Sequence, residues 1–304
     1  MIERANEAVT LEVKNIWKKC FTNEDARYIE YFFNNVYQPE YVYVAKEEGQ
    51  VVASICRIPH AFVFNHRVLK ASMISKLAEL PEKRKEGYAK ELLETVLDAC
   101  EHTELLTLIQ ADHPEFYKQY GFESVYTRCC YTLTRENVKR ITNYGCAYEP
   151  SPLDMLKVYS SFIRRFNGFY ARDIDYFVRL KKEITARGGK IVAYYNGKNQ
   201  IQGYATILLE GKEAKVEECI YLNAMALTKL VNAALQERAI INLHVSEAEN
   251  LSVLFPDAEK KEYASVMVRL NDYALYARLF NEKIKDVGDA FKISEKPLNL
   301  NEFI

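Results

Sequence analysis

The segment Leu77-Ala78-Glu79-Leu80-Pro81-Glu82-Lys83-Arg84-Lys85-Glu86-Gly87-Tyr88-Ala89-Lys90 holds the densest chemistry in the sequence. A strand end runs into Arg84-x-x-Gly87-x-Ala89 and then into an amphipathic stretch, so a glycine-bearing turn opens a helix there. The first turn of a helix leaves its amide hydrogens without intrahelical acceptors and carries positive partial charge, so an anion placed on it satisfies both. Gly87 lets the backbone approach such an anion closely. Lys83, Arg84, Lys85 and Lys90 crowd a helix start whose dipole disfavours cations, which points to a bound anion that compensates them. Glu82 and Glu86 fit a solvated face of mixed charge equally well, and charge alone does not choose between the two readings.

Other reactive side chains offer less. Cys20, Cys56, Cys100, Cys129, Cys130, Cys146 and Cys219 are odd in number and form no Cys-x-x-Cys pair, which fits reduced thiols rather than a disulfide framework. Cys100 falls on the apolar stripe of a helix, as a buried thiol does. The histidines 60, 66, 102, 113 and 244 are scattered, with no His-Glu-x-x-His spacing, so no metal is expected.

The elements that must position this segment follow from periodicity. Apolar residues recur at helical spacing over 25–37, before Pro39, and again over 89–100, where Ala89, Leu92, Leu93, Val96, Leu97 and Cys100 share one face. Runs 41–46 and 51–57 flank Glu47-Glu48-Gly49-Gln50 as a hairpin, and runs 61–64 and 68–80 flank Asn65-His66 as a second one, ended by Pro81. A short buried strand is expected over 105–109. The second half repeats this grammar: helices over 153–166 and 173–186, strands over 190–195, 200–209 and 215–222, and a helix over 224–235. The two halves read as distant copies, joined near 145–152, where Gly, Pro and Ser interrupt the periodicity. One further helix is expected from Tyr273 to about residue 285.

Composition bounds the function classes. The 304 residues carry 41 Lys+Arg against 42 Asp+Glu, a net charge of -1, which gives no general attraction to nucleic acid or to an anionic membrane. No apolar run reaches the roughly 18 residues a membrane span needs, and the start Met1-Ile2-Glu3-Arg4 is too polar for a signal peptide, so a cytoplasmic address is expected. Two domains fit the length.

The second informative segment is Ala111-Asp112-His113-Pro114-Glu115-Phe116-Tyr117-Lys118-Gln119-Tyr120-Gly121-Phe122. Together with the Arg84-x-x-Gly87-x-Ala89 turn it resembles the GNAT superfamily of acetyl-CoA-dependent N-acetyltransferases, whose members place a strand, such a turn, a helix, another strand and Tyr-x-x-x-Gly-Phe in that order. The resemblance is clear over about residues 8–135. The whole chain is similar to the tandem-GNAT branch that includes the enhanced intracellular survival acetyltransferases. Phe166-Asn167-Gly168-Phe169-Tyr170-Ala171-Arg172-Asp173 enters a second half that lacks the turn motif, and Met267-Val268-Arg269-Leu270 resembles the strand leading into that branch's third domain, which is shortened here. The implied fold class is α/β with a mixed sheet: a GNAT domain over 1–145, a degenerate GNAT-like domain over 146–270, and a helix and tail over 271–304 that could reach the active site.

The resemblance also assigns roles. The backbone of Leu77, Ala78 and Glu79 would pair with the pantetheine arm of acetyl-CoA, and Arg84, Lys85, Glu86, Gly87, Tyr88, Ala89 and Lys90 would hold the pyrophosphate. Asp112 and His113 would meet the cofactor where the next strand splays away. Tyr117 matches the proton donor: a phenol of pKa near 10 can protonate a departing thiolate. The carboxylate at Ile304 is the candidate base, because in the tandem branch the chain end serves this purpose. The acceptor would be a small-molecule amine or a lysine-containing partner, with Phe169, Tyr170, Asp173 and Asp175 open either as an acidic, aromatic cleft or as an ordinary helix start. The rival from another class is a non-catalytic module that binds an acyl-CoA or a peptide.

Overall fold

The computed structural model describes residues 1–111, 113–294 and 296–302. Asp112 and Ile304, both singled out above, lie outside the described residues. The chain begins with β1 (Ile2–Arg4), α1 (Thr10–Cys20) and α2 (Ala26–Asn35), then forms β2 (Val42–Glu47), β3 (Gln50–Phe64) and β4 (Arg67–Glu79). Next come α3 (Tyr88–Glu101), β5 (Leu106–Ile109), α4 (Pro114–Lys118) and β6 (Glu123–Thr134). The second half contains β7 (Cys146–Tyr148), α5 (Pro152–Phe162), β8 (Phe169–Tyr170), α6 (Ile174–Ala186), β9 (Lys190–Tyr195) and β10 (Ile201–Glu210). After β11 (Glu213–Val216), β12 (Cys219–Tyr221), α7 (Ala224–Glu237), β13 (Ile240–Ser246) and β14 (Glu259–Leu270), the chain closes with α8 (Tyr273–Phe280) and α9 (Val287–Lys292).

Two compact units result. The first comprises the described residues of Met1–Tyr126, Ser265–Glu295 and Glu302–Ile304; the second comprises Thr127–Ala264 and Lys296–Asn301. In the first unit the strands run in the order β1, β2, β3, β4, β5, β14, antiparallel except for the parallel pair β4/β5. In the second, β6, β13, β11, β10, β9 and β7 follow one another with β11/β13 as the parallel pair, and β12 also pairs with β10. Each unit thus inserts one helix, α3 or α7, before the strand that joins its sheet in parallel, the crossover that parallel pairing requires.

Packing of the first unit follows strand alternation. Trp17 of α1 donates from Nε1 to Ser54 Oγ at 3.1 Å, while the neighbouring Ala53 and Ile55 join Leu92, Leu93, Val96, Leu97 and Cys100 of α3 in one buried cluster. Consecutive strand residues face opposite ways, so α1 and α3 cover opposite faces of the sheet. Each fully buried Leu or Val in that cluster contributes roughly 1.5–3 kcal/mol of transfer free energy.

Four differences between the sequence reading and the structure bear on how the elements form. Residues 51–57 and 61–64, expected in separate hairpins, form the single strand β3, with Pro59 opposite Ser72 in a ladder that continues to Phe64. The run 215–222 is divided into β11 and β12, because Glu217 and Glu218 between them turn to ion pairs with Arg187 and Arg172 instead of extending a ladder. Helix α1 was not anticipated, although Val13, Ile16 and Trp17 bury one face of it. The expected helix from Tyr273 to about residue 285 ends at Phe280, where Asn281 takes the left-handed conformation, and α9 follows as a separate helix.

Candidate active site

The parallel pairing of β4 with β5 runs from Ala71 opposite Leu106 to Ile74 opposite Ile109 and ends there among the described residues. β4 continues to Glu79, held on its other side by β3, so its β5-facing edge stands open from Ser75 onward. At the same point the β3/β4 register shifts: Ser54 faces Ala78 while Cys56 faces Ser75. Lys76 and Leu77 therefore stand together opposite one residue of β3, a β-bulge that twists β4 away from β5. Lys76 takes φ 51°, a left-handed conformation that a lysine holds only where the surrounding structure imposes it.

A cavity of about 710 Å³ opens in this fork. Residues 73–77 of β4 form one wall, Ile109, Gln110 and Ala111 the other, and His113, Phe116 and Tyr117 close it from α4. Phe21 and Glu24, from the connection between α1 and α2, complete the lining. The Tyr117 ring lies 4.9 Å from Phe116 and 6.1 Å from Phe122, edge-on to both, and packs against the α3 cluster. Its ring carbons thus fix its place on the wall. His113 stands at the N-terminus of α4 without a side-chain cap bond.

Electrostatics divide the site. On the α1/α2 side, Lys76 Nζ lies 3.1 Å from Glu24 Oε1, 5.4 Å from the Phe21 ring centre and 5.0 Å from that of Tyr28, so its charge is shared between a carboxylate and two aromatic faces. Neither Lys76 nor Glu24 was singled out from sequence; a Ser-Lys pair inside the apolar run 68–80 was the available signal. Close by, the Cys20 thiol donates to the Glu79 carbonyl at 3.1 Å, and burial raises its pKa, which suits an inert thiol.

On the other side, the turn before α3 carries two left-handed residues, Lys85 at φ 73° and Gly87 at φ 96°, the latter at the N-cap. A Cβ on Gly87 would meet no atom within 4 Å, so the space beside it is open. The amides of Tyr88, Ala89 and Lys90 begin the helix and have no acceptor within it. Lys83 is engaged by Glu47 and, at 3.7 Å, by Glu86, and its hydrogen bond with Glu47 raises its pKa while lowering that of Glu47. Lys90 lies 3.8 Å from Glu94. Arg84 and Lys85 are exposed and make no ion pair or hydrogen bond among the described residues. Two uncommitted cations, a run of free amides and a glycine with open space make this turn electropositive and leave room beside it for an anion. Glu86 is also exposed there, and its pairing with Lys83 offsets its charge.

The structure therefore places Leu77, His113 and Tyr117 on the cavity, Ala78 and Glu79 on the continuing β4, and Arg84 through Lys90 at the start of α3. Asp173, in the second unit, accepts a hydrogen bond from the Tyr176 amide at 2.8 Å and caps α6, which accounts for it as a helix start.

Residues 1–125 match the model of the acetyltransferase (GNAT) domain. The chain carries a GNAT acetyltransferase domain. Members of that family take the acyl group from acetyl-CoA and pass it to an amine, so residues 1–125 form an acyltransferase domain of the N-acetyltransferase class. Solved structures extend the likeness of fold over most of the chain. An Enterococcus faecalis protein described as a probable N-acyltransferase is 18% identical with TM-score 0.73, covering 89% of this chain and 72% of its own. A GCN5-related N-acetyltransferase from Anabaena variabilis is 15% identical with TM-score 0.73, covering 91% and 74%. Eis1 from Mycobacterium abscessus is 14% identical with TM-score 0.67, covering 91% and 75%. No curated protein matches the sequence. Among the described residues no helix is long and apolar enough to cross a membrane, and no group of three or more His, Cys, Asp or Glu could hold a metal ion.

Proposed function

We propose that this GNAT protein transfers an acetyl group from acetyl-CoA to a primary amine by direct attack, with Tyr117 as general acid. The observation that supports the reading is the fork between β4 and β5, with Tyr117 on its wall and the Gly87 turn at the start of the helix that follows β4. The donor fits in parts: pyrophosphate on the α3 amides with Arg84 and Lys85, pantetheine along the open edge of Leu77 to Glu79, thioester in the fork. The neutral amine nitrogen attacks the thioester carbonyl carbon, the C–N bond forms, the tetrahedral adduct collapses, and the C–S bond breaks. The sulfur leaves with its bonding pair and takes the Tyr117 hydroxyl proton, becoming the free thiol of coenzyme A. The proton displaced from nitrogen passes to a base and, in the net reaction, restores the phenol. The base is assigned to the Ile304 carboxylate, and Glu302 supports this, since its carbonyl accepts from the cavity-lining Gln110. The acceptor is a small-molecule amine or a lysine side chain.

The test is thiol release from acetyl-CoA over a panel of amines, with Tyr117→Phe beside the native chain. Loss of a positioned acid lowers kcat by about 10²–10⁴-fold, while acetyl-CoA affinity should hold within about twofold. Native turnover in Tyr117→Phe removes Tyr117 from the mechanism. Tight acetyl-CoA binding without turnover on any amine gives the lead to the non-catalytic reading.

A further inference from the structure

Glu302, near the end of the chain, belongs to the first unit and is 8% exposed. Its backbone carbonyl accepts a hydrogen bond from Gln110 Nε2 at 3.0 Å. Gln110 directly follows β5 and lines the cavity, so one residue is both wall and tail contact. The Glu302 carboxylate lies 3.7 Å from His60 Nε2, with the two side chains only 6% and 13% exposed. His60 stands on β3, and its Nδ1 lies 2.9 Å from the Ile58 carbonyl. With Nδ1 turned to that carbonyl, Nε2 is the ring atom that faces Glu302.

Chain ends normally fray unless something holds them. A carboxylate this far from water is also costly without a partner. Here the main chain of Glu302 is fixed by one side chain and its carboxylate is met by another, from two different strands or strand ends of the same sheet. We infer that Gln110 and His60 form a seat for the tail against the wall of the acetyl-transfer cavity, and that both are positioning residues for the base which the last two residues would deliver. The inference rests on the reading of the tail as the source of that base. Neither residue needs to touch acetyl-CoA.

The experiment pairs two readouts on the full chain. The first is the rate at which carboxypeptidase Y removes C-terminal residues; the second is kcat for acetyl transfer beside the acetyl-CoA Kd. In Gln110→Leu and His60→Ala, trimming should quicken several-fold and kcat should fall about tenfold, with Kd unchanged within about twofold. His60→Gln offers an amide donor toward Glu302 and should recover part of both. A chain lacking residues 303 and 304 tests the underlying reading separately: full turnover there defeats the tail as base, and the trimming rates alone then decide the seat. Trimming at the native rate in both Gln110→Leu and His60→Ala overturns the seat, whatever happens to turnover.

Discussion

Gly87→Glu, with Gly87→Ala as its control, asks whether the turn before α3 holds the pyrophosphate. Gly87 has φ 96°, so either side chain strains the backbone, at about 1–2 kcal/mol of folding stability. That cost is common to both variants and should appear as a similar loss in thermal unfolding. Sterically the substitutions are cheap, because a Cβ there meets nothing within 4 Å. The difference between them is a single negative charge. A carboxylate about 6 Å from a doubly charged pyrophosphate, at an effective dielectric of about 40, is repelled by about 3 kcal/mol, or about a hundredfold in Kd. Calorimetric titration should therefore give Gly87→Ala a Kd within about threefold of native and Gly87→Glu one about a hundredfold weaker. Screening predicts that this gap narrows in 1 M salt, where the Debye length is about 3 Å. S-Acetylpantetheine, which lacks the pyrophosphate, should bind all three chains alike. Native affinity in Gly87→Glu, or an equal loss in Gly87→Ala, would refute the placement.

Two further outcomes concern the second unit. Arg172 and Glu218 are each 1% exposed and 2.7 Å apart, and Glu218 also accepts from Tyr204 at 2.6 Å and Asn301 at 3.0 Å. Arg172→Met strands that carboxylate and should cost about 3–5 kcal/mol in urea unfolding, whereas Arg172→Met with Glu218→Leu should recover much of the loss; equal losses would mean the pair is not coupled. His244 is held down to about 3 from 6.5, by burial first and then by the Arg128 and Lys215 charges. Below pH 6.5 the unfolded chain binds a proton that the folded one refuses, so stability falls as pH drops, by at most about 1.4 kcal/mol per pH unit, and this contribution levels off below about pH 3. His244→Asn, measured by unfolding between pH 7 and 4, should show a shallower acid limb than native; superimposable limbs would contradict the buried neutral ring.

The parts of the site that sequence made legible are those where one residue type is nearly obligatory. A left-handed N-cap calls for glycine, and Gly87 at the foot of an amphipathic helix could be read directly. Tyr117 was legible through its spacing to Gly121 and Phe122, which place it at the end of a short helix before a strand. The bulge was not, because Lys76 at φ 51° contradicts its own conformational preference, and only the β3/β4 register shift reveals it. The same holds for β3: Pro59 disfavours a ladder locally, yet pairing with β4 on both sides of it carries the strand through. Glu24 and Gln110 escaped notice for another reason. They are common surface types in unremarkable contexts, and they join the cavity because the fold brings Glu24 to Lys76 and Glu302 to Gln110. Local chemistry thus made legible the turn before α3 and the Tyr117 helix, where backbone conformation and spacing impose residue types. The α1/α2 wall and the Glu302 contact are set by tertiary placement, which no local spacing of residues in the sequence announces.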